Sequence, residues 1–191
     1  MLPHLLSYFL YDGKGYIHAD LMRFSMVYWP GMNKVKNTTL LLKVLLFCPE
    51  YRNIFYARVE KISRRLHVGL IMEIILPRYK FLSIGTVAER IGEGLYIEHG
   101  NSTIIHADSI GDNCWVNQNV TIGDNGRGIP KIGNNVRIGT GAVIIGPITI
   151  GDNVIIGANS TVTKDVPSNC TIIPSPSYII RRNGQKVYEK L

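Results

Sequence analysis

Cysteine is scarce in this chain: Cys48, Cys114 and Cys170 are the only three in 191 residues. So few, so scattered, they exclude a disulfide framework and a metal knuckle and point to a reducing compartment. Long hydrophobic runs are also missing. The apolar stretches 40–48 and 67–77 are short and broken by Lys43 and Glu73, so neither has the length of a bilayer-spanning helix. No basic stretch precedes the first apolar residues, which argues against a secretion signal. A cytoplasmic location is the simplest expectation. Excess charge is absent from the second half, where residues 84–191 hold 9 Lys+Arg against 9 Asp+Glu. Residues 1–83 hold 12 against 5, so the net charge of +7 lies entirely in the N-terminal part. A solvated helical surface accounts for that excess; so would an anionic partner such as the inner membrane face. No nucleic-acid recognition motif accompanies the charge, so nucleic acid is not an expected partner.

What is present is a period of six. From Ile132 to Pro167 a β-branched aliphatic opens every hexapeptide: Ile132, Ile138, Ile144, Ile150, Ile156 and Val162. Six residues fit neither a helix nor a simple alternating strand. They do fit a short strand followed by a corner, three times per turn, with the aliphatics stacked inside. Gly, Asn and Asp crowd the corners because they tolerate positive φ. The same register runs backwards through Ile122, Val116 and Ile110 to Ile97 and Ile91. The step from Ile122 to Ile132 is ten residues, so four loop out around Asn125 to Lys131. Taking Ile104 as the next opener after Ile97 leaves one extra residue near His99. The prism predicted from Ile91 to Pro167 has about four coils and, at about 4.8 Å per coil, is roughly 20 Å tall.

The expected organisation is an α-helical N-terminal region over 1–82, the repeat domain over 83–170 and a C-terminal extension over 171–191. Asp12-Gly13 and Trp29-Pro30-Gly31 break the helical part. Asn37-Thr38-Thr39 offers an N-cap before a Leu-rich run, and Pro49-Glu50 opens a helix with Phe55, Val59, Ile62 and Leu66 at helical spacing. These large apolar side chains read as core or subunit contact. After two prolines, residues 179–182 and Asn183-Gly184 read as a small strand or exposed appendix.

Residues at the same place in equivalent units stack one coil apart. The third positions of the units opened by Ile97, Val116, Ile138 and Ile156 are His99, Gln118, Thr140 and Ala158. A histidine thus lies at the foot of a column of polar, then small, side chains. Imidazole is the side chain best suited to take a proton from a hydroxyl near neutral pH. A corner histidine satisfied by a backbone carbonyl is the plainer alternative. His106 reads as structural, and two histidines in the coils do not support a zinc site needing three. One prism edge cannot close a pocket alone, so a neighbouring subunit would supply the other wall.

These residues carry a family resemblance. The repeat, together with Tyr96-Ile97-Glu98-His99-Gly100, Asn119-Val120-Thr121-Ile122-Gly123, Pro130-Lys131-Ile132 and residues 162–167, resembles the hexapeptide-repeat acyltransferases. The nearest branch is the serine acetyltransferase-like one, which includes polysaccharide O-acetyltransferases. The resemblance implies a mainly β fold, a left-handed parallel β-helix of about four coils behind the α-helical region, and a homotrimer. It also implies acetyl-CoA as co-substrate in a groove between adjacent prisms. His99 matches the general base and Glu98 the acid of an Asp-His pair; Thr140, Ala158, Thr163 and Lys164 match positions that line the coenzyme A arm, Gln118 of the same column is expected beside it, and Arg181 or Arg182 is expected at its phosphates. Departures bear on the acceptor. The family's second carboxylate falls near Ser83, and the Arg-His pair that holds the amino acid's carboxylate corresponds to Gly128 and Ile129. On those departures the expected acceptor is a hydroxyl of a sugar or surface-polysaccharide precursor. L-Serine is the alternative within the same chemistry, and a non-catalytic trimeric scaffold is the alternative outside it.

Overall fold

The computed structural model describes residues 1–32 and 36–191. The hexapeptide aliphatics form the interior of a three-faced parallel β-helix. The first face stacks strands Leu82–Ile84, Thr103–Ile105, Thr121–Gly123, Val143–Ile145 and Thr161–Val162. The second stacks Tyr96–Ile97, Trp115–Val116, Arg137–Ile138, Ile155–Ile156 and Thr171–Ile172. The third stacks Ser109–Ile110, Lys131–Ile132 and Thr149–Ile150, with single bridges from Ile91 to Ile110 and from Ile150 to Val166. Every face therefore has five rungs. Flanking segments that lack the repeat signature, Leu82–Ile84 below and Thr171–Ile172 above, carry the stack beyond the expected four coils.

The openers point inward as the period requires: Ile97, Val116, Ile122, Ile138, Ile144, Ile150 and Ile156 are all buried. Each such side chain withdrawn from water contributes about 1.5–3 kcal/mol. Two openers differ from expectation. Ile105 is buried and pairs with Ile122, whereas Ile104 is 49% exposed. The corner after Ile97 therefore holds two extra residues, not one. Val166 takes the inward place on the third face, four residues after Val162.

The corner between the third and second faces is built by asparagine. Asn113, Asn135, Asn153 and Asn169 have φ of 57, 54, 57 and 62°, a region Asn enters more readily than most residues. Their amides form a ladder, Asn135 donating to Asn153 at 3.1 Å and Asn153 to Asn169 at 2.9 Å. One residue earlier, Asp112, Asn134, Asp152 and Ser168 each accept an amide N–H from the coil below.

The N-terminal region forms α1 (Leu2–Leu10), α2 (Lys14–Tyr28), α3 (Asn37–Phe47), α4 (Pro49–Arg65) and α5 (Gly69–Ile75). Asn37 is the first helical residue of α3 and Lys36 occupies the cap without a side-chain bond, so the expected Asn cap is not formed. Pro49 opens α4, where its missing N–H costs nothing. Phe24 of α2 packs edge-on against Tyr51 of α4 and Tyr96 of the first coil. A buried ion pair locks the same junction: Arg58 of α4 binds Asp20 of α2 and donates to the carbonyls of Ala88, Ile91 and Gly92. Asp20 in turn accepts the Leu95 amide at 3.0 Å. The first coil, which carries the candidate catalytic corner, is thus seated on α2 and α4.

The C-terminal strands Tyr178–Arg182 and Gln185–Lys190 pair antiparallel around Asn183-Gly184. Both turn residues have positive φ, 51 and 81°, the requirement of a type I′ hairpin. No helix among the described residues is long and apolar enough to cross a membrane.

Candidate active site

The two-residue insertion in the first coil shapes the site. Ile97 to Ile105 takes eight residues where Val116 to Ile122 takes six. Ser102, with φ of 49°, matches the single left-handed residue of the regular corners at Asn119, Gly141 and Asn159, and His99 adds a second, with φ of 52°. Gly100 pins the loop inward: a Cβ there would stand 3.1 Å from Glu50, 3.2 Å from Leu82 and 3.3 Å from Ile97. His99, just before this anchor, is left exposed, and no hydrogen bond to its ring is found among the described residues. The plainer reading, an imidazole satisfied by a carbonyl, is not what this geometry offers. Asn101 follows and accepts the hydroxyl of Tyr79.

Strand register places Gln118, Thr140 and Ala158 above His99 along the corner between the second and first faces. Gln118 and Thr140 are half-buried and Ala158 is exposed. Thr163 and Lys164 leave the first face toward the next corner, so one chain does not bring them to the His99 column. Arg181 lies in the C-terminal hairpin opposite Lys186, and its neighbour Arg182 is tied to Glu189. Ser83 is exposed on the first face, in register with Ile104. It belongs to a groove of about 320 Å³ also lined by Asn53, Arg78, Tyr79 and Lys80. The long loop after Ile122 is folded around Asp124, which accepts the amides of Gly126 at 2.7 Å and Gly128 at 3.0 Å. Those bonds hold the Asp124 carboxyl below its ordinary range. The loop leaves the corner that Lys164 occupies, away from His99 of its own chain.

Glu98 turns onto the second face, where it accepts the indole N–H of Trp115 at 3.1 Å. Trp115 stands edge-on to Tyr96 at 5.1 Å, and the Arg137 guanidinium lies over its ring at 4.6 Å. Glu98, Trp115, Asn117, Arg137, Gly139 and Gly157 line a groove of about 250 Å³ beside the histidine corner. Sequence reasoning missed Trp115, Asn117 and Arg137 because it followed inward openers and corner positions. The available signal was their placement directly before or after Val116 and Ile138, which turns them outward on one face.

Residues 129–164 match the family of bacterial transferase hexapeptide repeats (six repeats). A serine acetyltransferase of Synechococcus elongatus is 35% identical over 153 residues, covering 76% of this chain and 63% of its own. The chain carries this hexapeptide repeat and is similar to the serine acetyltransferases. A serine acetyltransferase of Staphylococcus xylosus is 42% identical over 103 residues, 51% of this chain and 48% of that one. The hexapeptide-repeat chain thus spans about half to two thirds of the curated relatives it matches. Among solved structures, the Neisseria gonorrhoeae serine acetyltransferase in complex with serine superposes with a TM-score of 0.60 at 26% identity, covering 85% of this chain and 67% of that chain.

These relatives overturn the expectation of a sugar or polysaccharide-precursor acceptor, and with it the link to polysaccharide biosynthesis. That expectation rested on Ser83 and on Gly128 and Ile129 standing where the family has charged groups.

Proposed function

We propose that this protein transfers an acetyl group from acetyl-CoA to the hydroxyl of L-serine, with His99 as general base. The observation that carries the reading is an exposed, unpartnered imidazole on a left-handed corner below small side chains, in a chain whose relatives are serine acetyltransferases. His99 takes the proton of the acceptor hydroxyl as that oxygen attacks the thioester carbonyl, then returns it to the departing thiolate. Thr140 and Ala158 leave room for the pantetheine arm, and Gln118 supplies an amide along it. Thr163, Lys164 and Arg181 meet the donor from a neighbouring chain, which makes a homotrimer part of the reading. Light scattering tests it: a monomer at assay concentration refutes the shared groove. The reaction is cytoplasmic in this reading, with a peripheral contact at the inner membrane face. That contact is supported by Leu2 and Phe9 of α1 and Leu70 and Ile74 of the adjoining α5, all more than half exposed on the basic N-terminal part. Failure to co-sediment with anionic vesicles removes it.

The test of function is thiol release from acetyl-CoA with and without L-serine. Serine-dependent release is expected in the wild type, falling about 10²–10⁴-fold in His99→Ala with the fold intact. A wild type that releases no thiol with L-serine overturns the reading.

A further inference from the structure

His99 sits on backbone that needs support from its neighbours. Its φ of 52° lies in the left-handed region, uncommon outside glycine, and such backbone persists where its surroundings over-determine it. From inside, Gly100 is pressed against Glu50, Leu82 and Ile97. From outside, the restraint passes through Asn101. Its amide donates to the His99 carbonyl, and its own carbonyl accepts the Asn119 amide at 2.8 Å and the Thr103 hydroxyl at 3.1 Å. Those bonds stay within the coils. The remaining one comes from beyond the repeat: the Asn101 side-chain oxygen accepts the hydroxyl of Tyr79.

Tyr79 is itself fixed to the helical region. Asn53 of α4 is buried, 4% exposed, and every polar atom of its side chain serves this one turn. It accepts the Tyr79 amide at 2.8 Å and donates to the carbonyls of Tyr79 at 3.0 Å and Leu82 at 2.9 Å. The Tyr79 ring stands edge-on to Phe81 at 5.9 Å, which limits where its hydroxyl can reach.

We infer that Tyr79 is a positioning residue for His99, with Asn53 as its anchor on α4. This rests on the serine acetyl transfer proposed above and assigns what aims its general base. A buried helix residue holds Tyr79, Tyr79 holds Asn101, and Asn101 holds the carbonyl of His99. No hydrogen bond to the imidazole is found among the described residues, so the aim of the ring is set by the main chain beneath it. A general base works only while its nitrogen stays within hydrogen-bond reach of the acceptor hydroxyl, and small displacements of such a group cost rate rather than affinity.

The experiment is steady-state thiol release by the full-length protein from acetyl-CoA and L-serine. Tyr79→Phe keeps the ring and its packing on Phe81 and removes only the hydroxyl. Its kcat should fall about 3- to 10-fold, the effect of one net hydrogen bond, while KM for both substrates stays within about twofold of wild type. Asn101→Ala should lower kcat to a similar degree, and the double variant should fall no further than the lower single one. In a His99→Ala background, Tyr79→Phe should leave the residual rate unchanged, whereas a merely structural role would lower it by the same factor as before. Matching elution volumes for the variants exclude misassembly. An unchanged kcat in Tyr79→Phe, an equal fall with and without the imidazole, or a rise in KM alone each overturns the positioning role and leaves the proposed function standing. A wild type inactive on L-serine overturns both.

Discussion

Replacing Arg58 with Met tests the junction that seats the first coil on the helices. Both charged side chains are buried, each 1% exposed. The guanidinium donates to Asp20 at 3.1 and 3.4 Å, and to the carbonyls of Ala88 at 3.1 Å, Ile91 at 2.5 Å and Gly92 at 2.6 Å. Met fills most of the volume but leaves a buried carboxylate and three carbonyls without their donor. Removing one partner of a buried pair costs about 3–5 kcal/mol. At about 2–4 °C per kcal/mol for a chain of this size, the melting midpoint should fall by about 6–20 °C. A pH dependence follows with a definite sign. Burial outweighs the neighbouring guanidinium and pushes the Asp20 carboxyl up to about 6 from 3.8. A raised carboxyl favours the protonated folded state, so its contribution is complete below pH about 4 and lost as pH climbs to about 6. At pH 5 Asp20 is mostly neutral and depends little on Arg58; at pH 8 it is charged and depends on it fully. The deficit of Arg58→Met should therefore be smaller at pH 5 than at pH 8. Urea unfolding followed by tryptophan fluorescence at one protein concentration measures both. A deficit under about 1 kcal/mol at pH 8, or one that does not change with pH, refutes the reasoning.

Other outcomes are equally specific. The His4 ring is buried, bonded to the Tyr56 hydroxyl at 3.0 Å, and burial with the nearby N-terminal charge lowers its pKa to about 4. Its contribution is present above pH about 6.5 and lost as pH falls toward 4, at most about 3 kcal/mol, so His4→Phe should unmask the opposite trend of Asp20 in urea midpoints between pH 4 and 7. A Cβ on Gly139 would stand 2.7 Å from the Ala158 amide nitrogen and 3.0 Å from the Ile156 carbonyl oxygen, both backbone. Gly139→Ala should thus cost about 1–3 kcal/mol by thermal melting and weaken thiol release, because the coils must part to admit the methyl group. His99→Ala, by contrast, changes an exposed corner and should lose activity while the melting midpoint stays within about 2 °C of wild type.

The stack itself was legible because each inward residue is β-branched and six positions from the next, a signal that Ile132 through Val162 repeats without interruption. Legibility failed where two neighbours were equally qualified. Ile104 and Ile105 are both isoleucine, and only the pairing of Ile105 with Ile122 decides which faces inward. It failed again at Val166 and Ile172, where unequal steps hide two further inward positions. The corner column of His99, Gln118, Thr140 and Ala158 followed from register alone. Thr163 and Lys164, expected beside the donor from the family resemblance, follow Val162, which lies on the first face and not the second, so in one chain they belong to a different corner. The Glu98–Trp115–Arg137 cluster was missed although register would have stacked it, because its members flank Ile97, Val116 and Ile138 on the outward side of the face and attention went to inward and corner positions.

The two-residue insertion between Ile97 and Ile105 adds length to one corner without disturbing the pairing above it, where Ile97 still meets Val116 and Ile105 still meets Ile122. Architecture and reactivity therefore occupy separate stretches of the same coil. Such a corner tolerates change at its exposed positions while Gly100, packed against Glu50, Leu82 and Ile97, keeps the interior sealed beneath it.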